Sequence, residues 1–164
     1  MTREFARADF FDASALVCVF AAEPLSQKIA TYFHTRTTKY TTPYCFYEAL
    51  NVLKGKWKYK RQLTQAAYLS AARELANWYG ASSRGIRDLD FTDHTVFTNA
   101  EQLAARYDLD LSDSFQIVSI KHGYFSRLCR ESATVLVTAD QGLALAARSE
   151  DLRVWNACTE PAPE

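Results

Sequence analysis

Apolar residues fall into two patterns along this chain. Short unbroken runs bounded by polar residues read as buried strands, and longer segments with apolar residues every three or four positions read as amphipathic helices. "ADFFDA" (8–13) is a run of the first kind, and "SALVCVFAAE" (14–23) continues from it as a helix. A second helix is expected over Ser26 to His34, followed by a threonine-rich strand, "TKYTT" (38–42). Pro43 suits the first turn of a helix running through Leu53. A basic stretch then leads into a long amphipathic segment from about Gln62 to Tyr79, which Gly80 would close. "IRDLDF" (86–91) reads as a short strand, "VFTNAEQLAARYD" (96–108) and "LSDSFQIVSIKHGYF" (111–125) as helices, and "ATVLVTAD" (133–140) as a buried strand. "QGLALAARSE" (141–150) is a further helix and "LRVWN" (152–156) a last strand. Strands alternating with helices imply an α/β fold: a central, mostly parallel twisted sheet of four to five strands with helices on both faces. No repeat, low-complexity tract or linker interrupts the pattern. The whole chain, 1–164, is expected to be one domain, with a core over about 9–156 and a short tail over 157–164.

Composition narrows the class. With 48% hydrophobic and 23% charged residues the chain has an ordinary globular balance. Nineteen basic and nineteen acidic residues cancel, so any attraction to a polyanion must be local. The cysteines Cys18, Cys45, Cys129 and Cys158 are far apart and form no C-x-x-C, which argues against zinc or a redox pair and for reduced, buried thiols in a cytoplasmic protein. Arg3 and Arg7 before an apolar run faintly imitate a signal peptide, but Asp12 interrupts the run and it is too short to span a membrane. His34, His94 and His122 are scattered and read as structural.

The acids carry the candidate chemistry. In open parallel sheets, sites form outside the carboxyl ends of the strands. Asp12 ends "ADFFD" and Asp140 ends "TVLVTAD", each directly before a helix, which places both at that edge. Either aspartate would equally serve as a helix N-cap. Glu48 interrupts an apolar helix in "TPYCFYEALNVL", sharing a face with Tyr44, Cys45 and Val52. In "YDLDLSDSFQIVSI", Asp110 is the expected cap, which leaves Asp113 free in the first turn. Acid clusters with little histidine or cysteine suit hard divalent cations, and magnesium is held by few carboxylates together with waters and substrate phosphates. Metal-assisted phosphodiester cleavage is the chemistry that follows.

"FFDASALV", "TPYCFYEALNVL", "LDLSDSFQIVSI" and "VLVTADQGLALAA", in that order, resemble the PIN domain family and, within it, the VapC-type toxin ribonucleases. The likeness covers about Asp9 to Asn156. It implies a central parallel sheet and an acidic pocket holding Mg2+ or Mn2+, with Asp12, Glu48, Asp113 and Asp140 matching the family's metal-binding acids. Ser14 and Thr138 match its small hydroxyl positions. The activity implied is a metal-dependent endoribonuclease, the toxin of a toxin–antitoxin pair, with RNA as substrate, a cognate antitoxin as partner, and dimers as a frequent assembly.

The segment "KGKWKYKR" departs from the family pattern. Lys54, Lys56, Lys58 and Lys60 alternate with Gly55, Trp57 and Tyr59 and run on into Arg61. If extended, the segment presents phosphate contacts on one side and stacking surfaces on the other, as an RNA track would. It also reads as a solvated helix end with Trp57 and Tyr59 tucked into the core, or as a partner surface. Two other functions compete with the ribonuclease: an inactive PIN-like interaction or RNA-processing module, and a phosphate enzyme of the haloacid dehalogenase type. The latter wants a second aspartate two residues after the first, where this chain has Ser14.

Overall fold

The computed structural model describes residues 8–23, 26–36, 38–82, 89–90, 92–123, 126 and 134–163. Four strands form one all-parallel sheet: β1 (Ala8–Phe11), β2 (Lys39–Tyr40), β3 (Thr134–Thr138) and β4 (Arg153–Asn156), in the order β2-β1-β3-β4. Every residue of β1 and β3 is buried, so both faces of the sheet centre are covered, as unbroken apolar runs require. The helices flanking the sheet are α1 (Ala13–Phe20), α2 (Ser26–Thr35), α3 (Pro43–Lys58), α4 (Gln65–Ser82), α5 (His94–Tyr107), α6 (Leu111–His122) and α7 (Gln141–Ser149). The single α/β domain expected from the apolar pattern is the one observed.

β1 and β3 are neighbours, paired from Ala8 with Thr134 to Phe11 with Val137. From β1 the chain moves to one side to make β2, whereas β3 and β4 lie on the other. The strand order therefore reverses between β1 and β3, and the crevice at their carboxyl ends is the topological switch point. Beneath it, Phe10, Phe11, Leu16, Ile29, Leu136 and Leu143 are fully buried. Phe33 meets Phe11 edge-on at 5.0 Å and Trp78 of α4 at the same distance.

Several boundaries differ from expectation. The "TKYTT" strand shrinks to two residues because its last two threonines are used elsewhere. Thr41 donates its hydroxyl to the Phe11 carbonyl (2.7 Å), and Thr42 caps α3 by accepting from the Cys45 N–H (3.1 Å). α3 runs past Leu53 to Lys58 despite Gly55, since buried Leu53 and, one turn on, Trp57 both pack inward; Trp57 stacks on Tyr68 of α4 at 4.9 Å. The basic stretch is therefore helical through Lys58, not extended. Gly80 does not stop α4, which continues to Ser82. The expected strand "IRDLDF" lies mostly outside the described residues; Leu89 and Asp90 are in no strand.

Buried Asp9, in mid-β1, supplies a second charge inside the fold. It faces Arg36 Nε at 3.5 Å and accepts from the Tyr32 hydroxyl at 3.2 Å, with the guanidinium lying 4.6 Å over the Tyr32 ring. Of the cysteines, Cys18 and Cys45 are buried as expected, but Cys158 is exposed and donates to the Ala139 carbonyl (3.2 Å); Cys129 lies outside the described residues. No helix among the described residues is long and apolar enough to cross a membrane.

Candidate functional site

Asp12 sits one residue past β1 as the N-cap of α1, and it is only 1% exposed. Its Oδ1 accepts from the Ala15 N–H (2.6 Å) and the Ser14 hydroxyl (2.8 Å); Oδ2 accepts from Ser14 (2.9 Å) and from the Thr138 hydroxyl. Burial pushes this carboxyl up to about 7; the hydrogen bonds from Thr138, Ala15 and Ser14 oppose that rise, and the Asp140 charge adds to it. Two hydroxyls and a helix N-terminus thus supply Asp12 with hydrogen bonds in the interior.

Ser14 and Thr138 join the two strand ends. Their hydroxyl oxygens are 3.2 Å apart, Ser14 Oγ accepts from the Ala139 N–H (2.8 Å), and Thr138 Oγ1 accepts from the Asp140 N–H (2.9 Å). Asp140 caps α7 through Oδ1, which accepts from the Leu143 N–H at 2.8 Å. A Cβ on Gly142 would lie 3.3 Å from that oxygen, so the glycine leaves the cap room. Both readings of Asp12 and Asp140 therefore hold together: each is a cap, and each stands at the sheet edge.

Asp113 is brought in by α6. Asp110 takes the N-cap position and accepts from the Asp113 N–H (2.8 Å), and among the described residues the Asp113 side chain accepts only from the Gln116 amide (3.3 Å). Burial pushes the Asp113 carboxyl up to about 7, and the charges of Asp110, Asp140, Asp12 and Glu48 push in the same direction. Four elements thus deliver the four expected acids into one field. Glu48, on α3, accepts from the Ser112 hydroxyl (2.9 Å); its carboxyl is raised by burial and further by Asp110, against that hydrogen bond.

Three contributors escaped the sequence reading. Ser112 fixes Glu48, and it also hydrogen-bonds the half-buried Tyr44, whose phenol burial pushes up. Asp110, expected only as a cap, is a fifth negative charge. Gln116 is 2% exposed, and its Oε1 has no hydrogen-bond partner among the described residues. Of these only Asp110 carried a signal, as the cap before Asp113; a serine before Asp113 or a glutamine three residues after it looks like any helical residue.

Does the donor set suit a hard divalent cation? The site residues are carboxylates, and Gln116, whose amide donates to Asp113, carries a buried carbonyl oxygen with no partner among the described residues; oxygen donors are the kind magnesium and manganese take. Asp113, Glu48 and Asp140 each commit one carboxylate oxygen to the contacts above. Among the described residues no three acid, histidine or cysteine side chains form a ready-made cage. Asp12 and Asp140 instead cap their helices, Glu48 accepts from the Ser112 hydroxyl and Asp113 from the Gln116 amide. On donor chemistry the residues fit a divalent ion, with Asp12, Glu48, Asp113 and Asp140 as the groups that would hold it.

The expected RNA-contacting residues lie at the α3–α4 turn. Lys54, Lys58, Lys60 and Arg61 are exposed, whereas Lys56 is paired with Glu23 and Trp57 is stacked on Tyr68. Tyr59 is 73% exposed and does not tuck into the core.

No protein-family model matches the chain, and no curated protein matches it. Among solved structures, the fold is similar to the crystal structure of PAE2754 from Pyrobaculum aerophilum, with a TM-score of 0.54 and 22% identity over 86% of this chain and 85% of that one.

Proposed function

We propose that this protein is a divalent-metal-dependent endoribonuclease of PIN type, acting as the toxin of a VapC-like toxin–antitoxin pair. What supports the reading is the arrangement at the switch point of a parallel sheet: Asp12 and Asp140 follow the paired strands β1 and β3 and are linked through Ser14 and Thr138, Ser112 next to Asp113 holds Glu48, and the neighbouring acids add to the burial that pushes Asp113 up to about 7. Magnesium or manganese, when bound, would supply Lewis-acid activation of water and neutralise charge on the phosphodiester oxygens. Asp12 enters that chemistry oriented in advance by Ser14, Thr138 and Ala15. Ser112 does the same for Glu48. Glu48, Asp113 and Asp140, each with one oxygen uncommitted among the described residues, would be the groups to take a cation. Exposed Lys54, Lys58, Lys60 and Arg61 supply countercharge for an RNA backbone. A cytoplasmic setting, a cognate antitoxin and a homodimer belong to the same reading.

A second reading, an interaction module that does not turn over, draws on Asp12, both of whose oxygens are already satisfied within the protein. RNA incubated with wild type in magnesium, manganese or EDTA separates the two. Ribonuclease activity should need the metal and fall at least about 100-fold in Asp12→Asn and Asp113→Asn, beyond what lost outer-shell contacts usually cost at metal sites. Metal-independent cleavage, or cleavage that both variants retain, would refute the enzyme reading at this site.

A further inference from the structure

The α3–α4 hairpin carries a charge segregation that the acid cluster does not require. Residues 49–73 contain six cations (Lys54, Lys56, Lys58, Lys60, Arg61 and Arg73) and no acid, in a chain whose charges cancel only when these six are counted. Only Lys56 of these is paired with an acid among the described residues, with Glu23 of the chain just after α1. Because α3 stays helical to Lys58, Tyr47, Asn51, Lys54 and Lys58 recur at i, i+4, i+7 and i+11 and form one row, every member exposed. The row begins next to Glu48. It ends at Tyr59, with Lys58 Nζ 6.0 Å from the Tyr59 ring centroid. A solvated helix face accounts for the lysines. It does not account for two tyrosines that are 67% and 73% exposed at the two ends of the row.

We infer that this row is a track for single-stranded RNA leading away from the acid cluster, with Tyr47 and Tyr59 as stacking platforms for bases and Lys54, Lys58, Lys60 and Arg61 on the phosphates. The inference deepens the nuclease reading and rests on it for the identity of the polyanion. The twelve-residue offset between the tyrosines spans about 18 Å at 1.5 Å per helical residue, room for several nucleotides. A single strand is required because its bases are free to stack on aromatic rings, whereas those of a duplex are stacked on one another. Trp57 takes no part as a platform: its ring is stacked on Tyr68 at an interplanar angle of 10°, which braces the hairpin that carries the row.

Fluorescence anisotropy with a labelled RNA of about 12 nucleotides, within the range of single-strand site sizes, tests this in EDTA, where binding is read without turnover. Single-stranded RNA should bind tighter than its duplex. Four phosphate contacts should give a slope of log K against log salt near about −2.8, and Lys54→Gln should flatten it by about 0.7. Tyr47→Ala and Tyr59→Ala should each weaken binding at least about fivefold, the low end of base–aromatic stacking, while Tyr47→Phe keeps it. Equal affinity for duplex and single strand with the tyrosine variants unchanged would overturn the track. So would polyglutamate displacing the RNA at matched charge, which would mark an acidic protein as the occupant. Tyrosine-dependent binding without metal-dependent cleavage would refute the nuclease and leave the track standing; cleavage that ignores the row would do the reverse.

Discussion

Asp113→Asn isolates the mutual repulsion of the acids more cleanly than any other substitution. The Asp113 side chain caps nothing, and Asn Oδ1 still accepts from the Gln116 amide, so the variant removes a charge and keeps the packing. The wild-type carboxyl is pushed up to about 7 by burial and then by Asp110, Asp140, Asp12 and Glu48. A shift of about three units would correspond to about 4 kcal/mol at 1.36 kcal/mol per unit. The group is half-exposed, so solvent screening cuts this to about 1–2 kcal/mol. Because the folded value lies above the unfolded one, the wild type has its full stability below about pH 4, loses it as pH climbs toward about 7, and stays low above that. The variant has no such loss. In EDTA, thermal unfolding should show equal melting temperatures near the acid end and a variant advantage of about 2–8 °C at pH 8, at 2–4 °C per kcal/mol for a chain of this size. Manganese should then raise the wild type more than the variant, since a ligand of the folded state stabilises by mass action. A variant that melts no higher at pH 8, or a gap that does not widen between pH 5 and pH 8, would refute the shared field.

Thr138→Val removes the hydroxyl that donates to Asp12 and accepts from the Asp140 N–H. It should destabilise by about 1–3 kcal/mol at pH 8, where Asp12 is ionised, and by less at pH 5; equal losses in urea titrations at both would show that Thr138 acts only through packing. Arg36→Met removes the guanidinium that lies 3.5 Å from buried Asp9, with the Lys39 charge remaining nearby, and should lower stability by about 2–4 kcal/mol, somewhat below the cost of breaking a fully buried pair because Arg36 is partly exposed. Chemical unfolding checks this, and a change under about 0.5 kcal/mol, the range of ordinary surface substitutions, would mean that Asp9 does not depend on Arg36. Expression without a partner should arrest growth of the host, and Asp12→Asn should restore it; equal arrest by both would exclude toxicity through this site.

What the sequence made legible followed from periodicity. β1, β3 and the helices after them could be placed because unbroken apolar runs and 3.6-residue spacing are strong signals, and Asp12 and Asp140 inherited their place at the sheet edge. The boundary errors share one physical origin: tertiary packing overrode local propensity. Gly55 and Gly80 signal helix ends in isolation, yet α3 and α4 run through both, held by Leu53, Trp57 and Leu75 against the core and each other. The alternation of lysine with aromatics suggested a strand-like two-sidedness, but in a helix the same residues spread around the axis, and only Lys54 and Lys58 stay in register with Tyr47. Ser112 and Gln116 were illegible because their importance lies in which neighbour from another element they meet, and no local pattern records that.

On the proposed function, Asp12, Glu48, Asp113 and Asp140 would form one divalent-cation site. Anomalous scattering from crystals grown with manganese tests it most directly. A manganese peak is expected at the carboxyl end of β1 and β3, bound by at least two of these four acids at oxygen distances of about 2.0–2.2 Å, close to the spacing of other small hard cations, and absent from Asp12→Asn crystals. A peak-free site at saturating manganese, or manganese held by other residues, would contradict it.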